Sequence, residues 1–409
     1  MRGFRTRRRA ALLCLIFALL PVLTGCGRTN VPYEAGETAT TEVPFGTSAE
    51  AVSGAAGEGD GGEARTGVTG SMDLQYATQF TVDYLEGGCA LVTVGGTDIF
   101  LVVPEGAEAP VTDAAVTIHL PLDSIYNAAS SAMDLFVQLG SLDRVAFTST
   151  TLANWGIPEV CVAMESGALR YAGRYSAPDY ELLLSSGCGL AVESTMIYHT
   201  PETREKLEDL GIPVLVERSS YEPEPLGRVE WIKLYGLLLG REAEAEAFFA
   251  DQVRQLDSLD ITPAAEQTVA FFHLNTAGAA VVRKPGDYVS KMIALAGGRY
   301  VFEDLPGADE NALSTMNMQL EAFYAGARDA DVLIYNSTID GELETLDQLL
   351  AKSSLLADFK AVQSGNVWCS EHNMFQKSSA AAGMIRDLNA ILTGAEEDAG
   401  QLTFFHRLK

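Results

Sequence analysis

The sequence predicts an α/β protein: two lobes of parallel-sheet α/β units joined by a single long backbone helix, with a small N-terminal β-meander. Three observations carry this. Strand-like and helix-like segments alternate over residues 110–225, and a second such series runs from residue 268 towards the C-terminus. Between them, Val229, Ile232, Gly236, Leu239, Ala243, Ala247, Ala250 and Val253 recur in steps of three and four. The alternation is that of strands separated by crossover helices, and the spacing is that of one helical face. At 409 residues the chain exceeds one ordinary core, which fits a pair of lobes.

The chain opens with MRGFRTRRRA, five arginines and no acid, followed by the 13-residue apolar run ALLCLIFALLPVL. Basic, apolar, then small residues is the layout of an export signal, and the run is too short for a stop-transfer helix. LTGC at 23–26 resembles a bacterial lipobox. That likeness implies removal of residues 1–25 as a lipoprotein signal peptide, a lipid on Cys26, and a folded body held on the extracytoplasmic face of the cell membrane. Residues 26–72 are Gly, Ala, Thr, Ser and Glu with almost no large apolar side chain. So little burial cannot offset ordering entropy, and the segment reads as a flexible tether. Residues 73–109 alternate apolar and polar side chains around Gly-Gly pairs, a β-meander with its strands inside 79–106.

In the N-terminal lobe, 110–225, AAVTIHL (114–120), RVAFTST (144–150) and IPVLVE (212–217) read as strands. SSAMDLFVQLG (130–140) reads as a glycine-stopped helix, and YELLLSSGCGLAV (180–192) as a helix feeding a strand. TPETREKLEDLG (200–211) has proline in its first turn and a terminal glycine, the start and stop signals of a helix. The interlobe helix covers 226–258; about 30 residues at about 1.5 Å each make a rod of about 45 Å. In SSYEPEPLG (219–227) the prolines restrict the turn before it. Glu222 and Glu224 read there as a solvated acidic helix start, and Trp231 as core. In the C-terminal lobe, 259–409, TVAFFHL (268–274), DVLIYNS (331–337) and NVWCS (366–370) read as strands. YVSKMIALAGG (288–298), NMQLEAFYAGARDA (317–330) and SSAAAGMIRDLNAILTG (378–394) read as helices.

Hydrophobic and charged contents of 47% and 20% are those of a folded chain. The net charge is −27; loss of the signal removes five of 28 basic residues and no acid, leaving 23 against 55, or −32. Such a field repels nucleic acid and a bare anionic membrane surface, which excludes both as partners. Cys89, Cys161, Cys188 and Cys369 show no CxxC spacing, and they read as buried thiols with no bridge assigned. His119, His199, His273, His372 and His406 are scattered without metal-ligand spacing, so no metal residue is assigned. No G-x-S-x-G elbow, P-loop or strand-linked G-x-G-x-x-G occurs, and no catalytic residue is assigned.

Two α/β lobes on one connecting helix, in an exported lipoprotein, resemble the substrate-binding lipoproteins of ABC importers for iron-siderophores, haem and cobalamin. Over residues 110–394 the resemblance rests on SSYEPEPLGRVEWIKLYGLLLGREAEAEAFF (219–249), IALAGGRYVFEDL (293–305), LEAFYAGARDADVLIYNST (320–338) and APDYELLLSSGCGLAVESTMIYHTPETREKLEDLGIPVLVE (177–217). The tether and meander lie outside it. The resemblance implies a monomer, with no cofactor of its own. It implies capture of an iron-siderophore, haem or corrinoid in the interlobe cleft, without covalent chemistry, and delivery to a complex of permease and ATPase. It also implies one surface glutamate on each lobe that docks in arginine-lined pockets of the permease. By position these are Glu202 in TPETREKL and Glu321 in MQLEAFY, with Glu181 the rival.

Ligand residues are expected on loops at strand ends. Aromatic, polar and cationic residues suited to a flat macrocycle or chelate are Tyr126, Trp155, Tyr175, Tyr221, Arg228, Arg283, Tyr288, Asn336, Trp368 and His372. Three alternatives stand beside this reading: a metal-ion receptor of the same superfamily, a secreted α/β hydrolase, and a surface sensor that keeps the cleft without the permease.

Overall fold

The computed structural model describes residues 67–112, 114, 116–259, 261, 267–305, 315–339, 341–395 and 402–409. The signal segment, Cys26 and nearly all of the tether lie outside the described residues. Among the described residues no helix is long and apolar enough to cross a membrane.

The first element is a five-stranded sheet. Strands β1 (Val68–Ser71), β2 (Phe80–Leu85), β3 (Ala90–Val94) and β4 (Asp98–Val103) run antiparallel in order, and β5 (Val116–His119) joins parallel to β4. Two expectations change here. β1 occupies residues assigned to the tether, and the strand expected at 114–120 covers the open edge of β4 instead of entering the N-terminal lobe. The two faces alternate with period two. Phe80, Val82, Val92, Phe100 and Val102 are buried towards the interlobe helices, where the Phe80 and Trp231 rings meet at 5.0 Å. Leu85, Cys89, Leu91, Leu101 and Val103 form a smaller cluster on the other face.

The N-terminal lobe has β6 (Ile125–Asn127), α1 (Ser130–Gln138), β7 (Val145–Thr148), α2 (Pro158–Glu165), β8 (Arg170–Tyr171), a short hairpin of β9 (Gly173–Arg174) and β10 (Ala177–Pro178), α3 (Tyr180–Ser185), β11 (Leu190–Ser194), α4 (Pro201–Asp209) and β12 (Val214–Glu217). Its sheet runs β12-β11-β6-β7-β8, every pair parallel. Strands buried on both faces read as apolar runs, which is why VLVE at 214–217 is legible in the sequence; it is buried throughout.

The connection is two helices, α5 (Pro225–Leu239) and α6 (Glu242–Asp257), in place of the single rod expected over 226–258. Gly240 ends α5 in the left-handed region (φ 66°), where a side chain is penalised. Glu242 and Glu244 then open α6, a favourable sign of charge for a helix start. α6 folds back on α5 so closely that a Cβ on Gly236 would stand 2.6 Å from that of Ala245. The connecting helix is thus about 22 Å long, at about 1.5 Å per residue.

The C-terminal lobe has β13 (Thr268–Leu274), β14 (Ala280–Arg283), α7 (Tyr288–Leu295), β15 (Arg299–Tyr300), β16 (Thr315–Met318), α8 (Leu320–Ala327), β17 (Val332–Tyr335), α9 (Leu346–Lys352), α10 (Lys360–Ser364), β18 (Val367–Ser370), α11 (Ala381–Thr393) and β19 (Phe405–Arg407). Its sheet runs β16-β14-β13-β17-β18-β19, with β15 also on β13. The centre is parallel, while β14, β16 and β19 are antiparallel additions. The helix expected from residue 317 starts at Leu320, because Thr315–Met318 pairs with β14. α5 packs on α1 of the first lobe and on α7 and α11 of the second.

Two acids of the connection are buried, and one of them, Glu222, corrects the sequence reading. Glu222 is buried, and its carboxylate accepts from the Thr78 and Gln79 amides, the Thr78 hydroxyl and the Trp231 indole at 2.8–3.0 Å. Glu230 has no exposure and accepts from the amides of Gln75, Tyr76 and Ala77 at 2.8–3.1 Å. Lys233 lies 3.1 Å from Glu230 and donates to the Asp73 carbonyl at 2.9 Å. The chain entering β2 is therefore held on α5 by carboxylates that replace water around its amides.

Candidate functional site

After β18 the chain leaves the C-terminal lobe as the loop 371–380 and reaches across to the first lobe. The Gln376 carboxamide accepts from Gly156 N at 2.8 Å and donates to Asn154 O at 2.7 Å, and Asn373 donates to Gly156 O at 3.2 Å. Ser378 donates to Ser131 O at 2.6 Å. Asp134, wholly buried on α1, accepts from the amide and hydroxyl of Ser379, with Lys377 at 3.6 Å. Contact is tight enough that a Cβ on Gly156 would lie 2.5 Å from Asn373 Cβ. The loop is a clasp made of neutral hydrogen bonds around one charged pair.

Beneath it lies a cationic and aromatic cluster. The Arg228 guanidinium, near the start of α5, sits 3.9 Å from the Tyr288 ring centre at the start of α7. Arg283, the last residue of β14, lies 4.5 Å from the Phe375 ring and 3.7 Å from Asp287. Phe375 belongs to the clasp and meets Tyr288 edge to face at 6.3 Å, so the cluster and the clasp are one continuous junction. Asp287 caps α7 by accepting from Val289 N at 2.9 Å. Burial pushes its carboxyl up, against the opposing pull of Arg283, the Val289 amide and Arg228. Burial likewise pushes the Tyr288 hydroxyl up.

The charge balance of this junction is the point of chemical interest. Arg228 is only 6% exposed, its Nε has no hydrogen-bond partner, and no carboxylate stands within ion-pair distance of it among the described residues. Guanidinium groups taken out of water need an anionic partner, and a planar fork matches a carboxylate or another bidentate oxyanion. The Asp287 carboxyl, whose ionisation burial weakens, feels both the Arg283 and the Arg228 guanidinium. The arrangement is suited to a ligand that is aromatic or flat and carries negative charge.

Three expected ligand residues, Arg228, Arg283 and Tyr288, therefore come together here. Trp155 and His372 flank the clasp, next to Gly156 and Asn373 respectively; Trp155 is buried, its indole donating to Thr150 O at 3.2 Å. The other five are placed elsewhere. Tyr126 is fully buried among Phe147, Leu183 and Val214, with Tyr175 half-buried against the same cluster. Trp368 is a core residue of the second lobe, its indole donating to Asn366 and its ring covered by Arg407. Asn336 accepts from Thr338 in a turn after β17, and Tyr221 lies under Arg218 at 4.8 Å. Sequence reasoning missed Asp287, Phe375 and the clasp residues; the only signals were the PGDY turn before α7 and the polar run after β18. Glu202, Glu321 and Glu181 stand exposed in the first turns of α4, α8 and α3. Among the described residues no group of three or more His, Cys, Asp and Glu side chains is placed to hold a metal ion.

Two α/β lobes are thus held on one helix, with the clasp and the cationic cluster forming a junction between them. The family described as Periplasmic binding protein matches residues 173–369. An uncharacterized lipoprotein of Methanocaldococcus jannaschii, MJ0872, is 28% identical over 356 residues, which are 82% of this chain and 87% of that protein. A periplasmic haem-binding protein of Vibrio cholerae superposes with a TM-score of 0.53 at 19% identity, covering 66% of this chain and 99% of the other. A protein of an Fe3+-hydroxamate transport system from Saccharomonospora viridis gives 0.50 at 17% identity, covering 67% and 94%. The chain is thus similar over residues 173–369 to the Periplasmic binding protein family, and its fold is that of these two solved structures.

Proposed function

We propose that the protein is the lipid-anchored receptor of an ABC importer, standing on the extracytoplasmic face through Cys26. It captures an anionic metal chelate, a ferric siderophore, haem or a corrinoid, at the interlobe junction and hands it to a permease. The single observation that carries this is Arg228, buried beside Arg283, Tyr288 and Phe375 with no carboxylate at ion-pair distance among the described residues. The haem and Fe3+-hydroxamate systems of the two structural neighbours supply the ligand class, and the lipoprotein relative supports the anchor. Exposed Glu202 and Glu321, one on each lobe, are the docking residues of this reading.

The test is absorbance and thermal-shift titration of the purified protein against haem, cobalamin, ferric siderophores and divalent metal ions. A carboxylated chelate is expected to bind, and Arg228→Ala to weaken it about 10- to 100-fold, the loss of one charged hydrogen-bonding partner. Silence towards every chelate, with turnover of an ester or glycoside instead, would sink the reading.

A further inference from the structure

His406, on the C-terminal strand β19, stands opposite Cys369 of β18. Its two ring nitrogens both face oxygen acceptors: Nδ1 lies 2.8 Å from Glu371 Oε1 and Nε2 lies 2.8 Å from the Leu343 carbonyl. A neutral imidazole has one N–H and one lone pair, so it can satisfy only one of them; the imidazolium satisfies both. Glu371 is the first residue of the loop 371–380, the segment that ties the second lobe to Asn154, Gly156, Ser131 and Asp134 of the first. The next residue, His372, is held by its amide to Glu342 at 2.6 Å.

We propose that His406 is a proton-dependent latch: its imidazolium pins Glu371 and so holds the interlobe clasp shut, and loss of the proton frees the root of the clasp. The charged and titratable groups around the ring favour the protonated form. Glu371 faces it from the end of β18, and Glu344 from the segment before α9; Glu342 belongs to the same acidic rim, which also faces the Cys369 thiol across the strand pair. Arg407, the next residue on its own strand, lies over the Trp368 ring at 4.7 Å. Partial burial lowers the histidine's proton affinity, but the Leu343 carbonyl and the glutamates outweigh it, leaving a net upward shift. Stability from a histidine raised in the folded state is complete below its unfolded value of about 6.5 and is lost as pH rises through the folded value. The clasp is therefore closed on the acid side and loosened on the alkaline side. Because Phe375 of the same loop lies over Arg283 and Tyr288, loosening also uncovers the cationic cluster.

The proposal does not depend on which ligand the junction takes. It is tested on the whole protein without ligand, by amide hydrogen exchange of residues 371–380 expressed as protection relative to the free peptide from pH 5 to pH 9. Protection is expected to fall several-fold above pH 6.5, in step with the His406 ring titration followed by NMR. His406→Gln is expected to remove the step and leave the loop in its loosened state at all pH values; Glu371→Gln, which keeps the acceptor but not its charge, is expected to move the step to lower pH. Should His406→Gln fold poorly, the Glu371→Gln shift decides alone. A pH-independent loop in the wild-type protein, an unchanged step in either variant, or a His406 ring titrating below 6.5 overturns the latch.

Discussion

Glu230 on α5 and Glu193 on β11 are both acids without exposure, and they have opposite surroundings. Glu230 receives three backbone amides and a lysine. Neither oxygen of Glu193 has a hydrogen-bond partner among the described residues, and burial holds its carboxyl well above the usual range. Removing the first leaves three amides without their acceptor and takes from Lys233 its buried carboxylate, leaving it Asp73 O and Glu246; breaking a buried ion pair costs about 3–5 kcal/mol. Glu230→Ala is accordingly expected to lower the free energy of urea unfolding by about that amount; a loss below about 1 kcal/mol would show that the N-terminal sheet is not held through this residue. At this scale the sequence is readable in part. Arg228, Arg283 and Tyr288 stand out because charge and aromaticity near helix starts and strand ends are unusual enough to name. Tyr126 and Trp368 carry the same signals and are core, since residue type does not say which side of a strand faces the lobe interior. Glu222 misleads because an acid beside a proline looks solvated until the residues just before β2 supply amides for it.

Among the elements, strands with both faces buried and helices bounded by proline and glycine are legible, and these position both lobes. Elements made by partners are not: β16 is a strand because β14 lies beside it, and β5 joins the N-terminal sheet because β4 has an edge to fill. The break between α5 and α6 is present in the sequence as Gly240 followed by acids, but an uninterrupted apolar spacing across it suggests one helix. The two helices meet at a residue with nothing within 4 Å of the point where a Cβ would stand. Gly240→Ala therefore introduces no clash and only the left-handed backbone penalty, about 1–2 kcal/mol. Thermal unfolding is expected to show a loss of that size with unchanged far-ultraviolet dichroism; no loss would mean that the bend is set by the Gly236–Ala245 contact alone.

At the scale of the molecule, the described residues join the lobes through α5 along one side and the 371–380 clasp along the other. A body fixed at both sides presents its two outer faces at a constant separation, which suits a receptor read by a partner through one acid on each lobe. Glu202→Ala together with Glu321→Ala is expected to abolish ligand uptake by cells while leaving the affinity of the purified protein unchanged. A fall in affinity would overturn the docking role proposed for these residues. The strong net negative charge adds salt dependence to that encounter, since steering by exposed charge weakens as ions screen it.

The hold of α5 on the N-terminal sheet also sets an order of events. Glu230 lies 153 to 155 residues beyond the amides it receives, and Glu222 lies 143 or 144 residues beyond its own. Chains are made from the N-terminus, so β1 to β5 are synthesised while their receiving helix does not yet exist, and the amides of residues 75–79 are left to water. Contacts of such long range form slowly. The sheet that stands first in the sequence is thus seated only after the first lobe and α5 have been made, and the fold is closed by its oldest part.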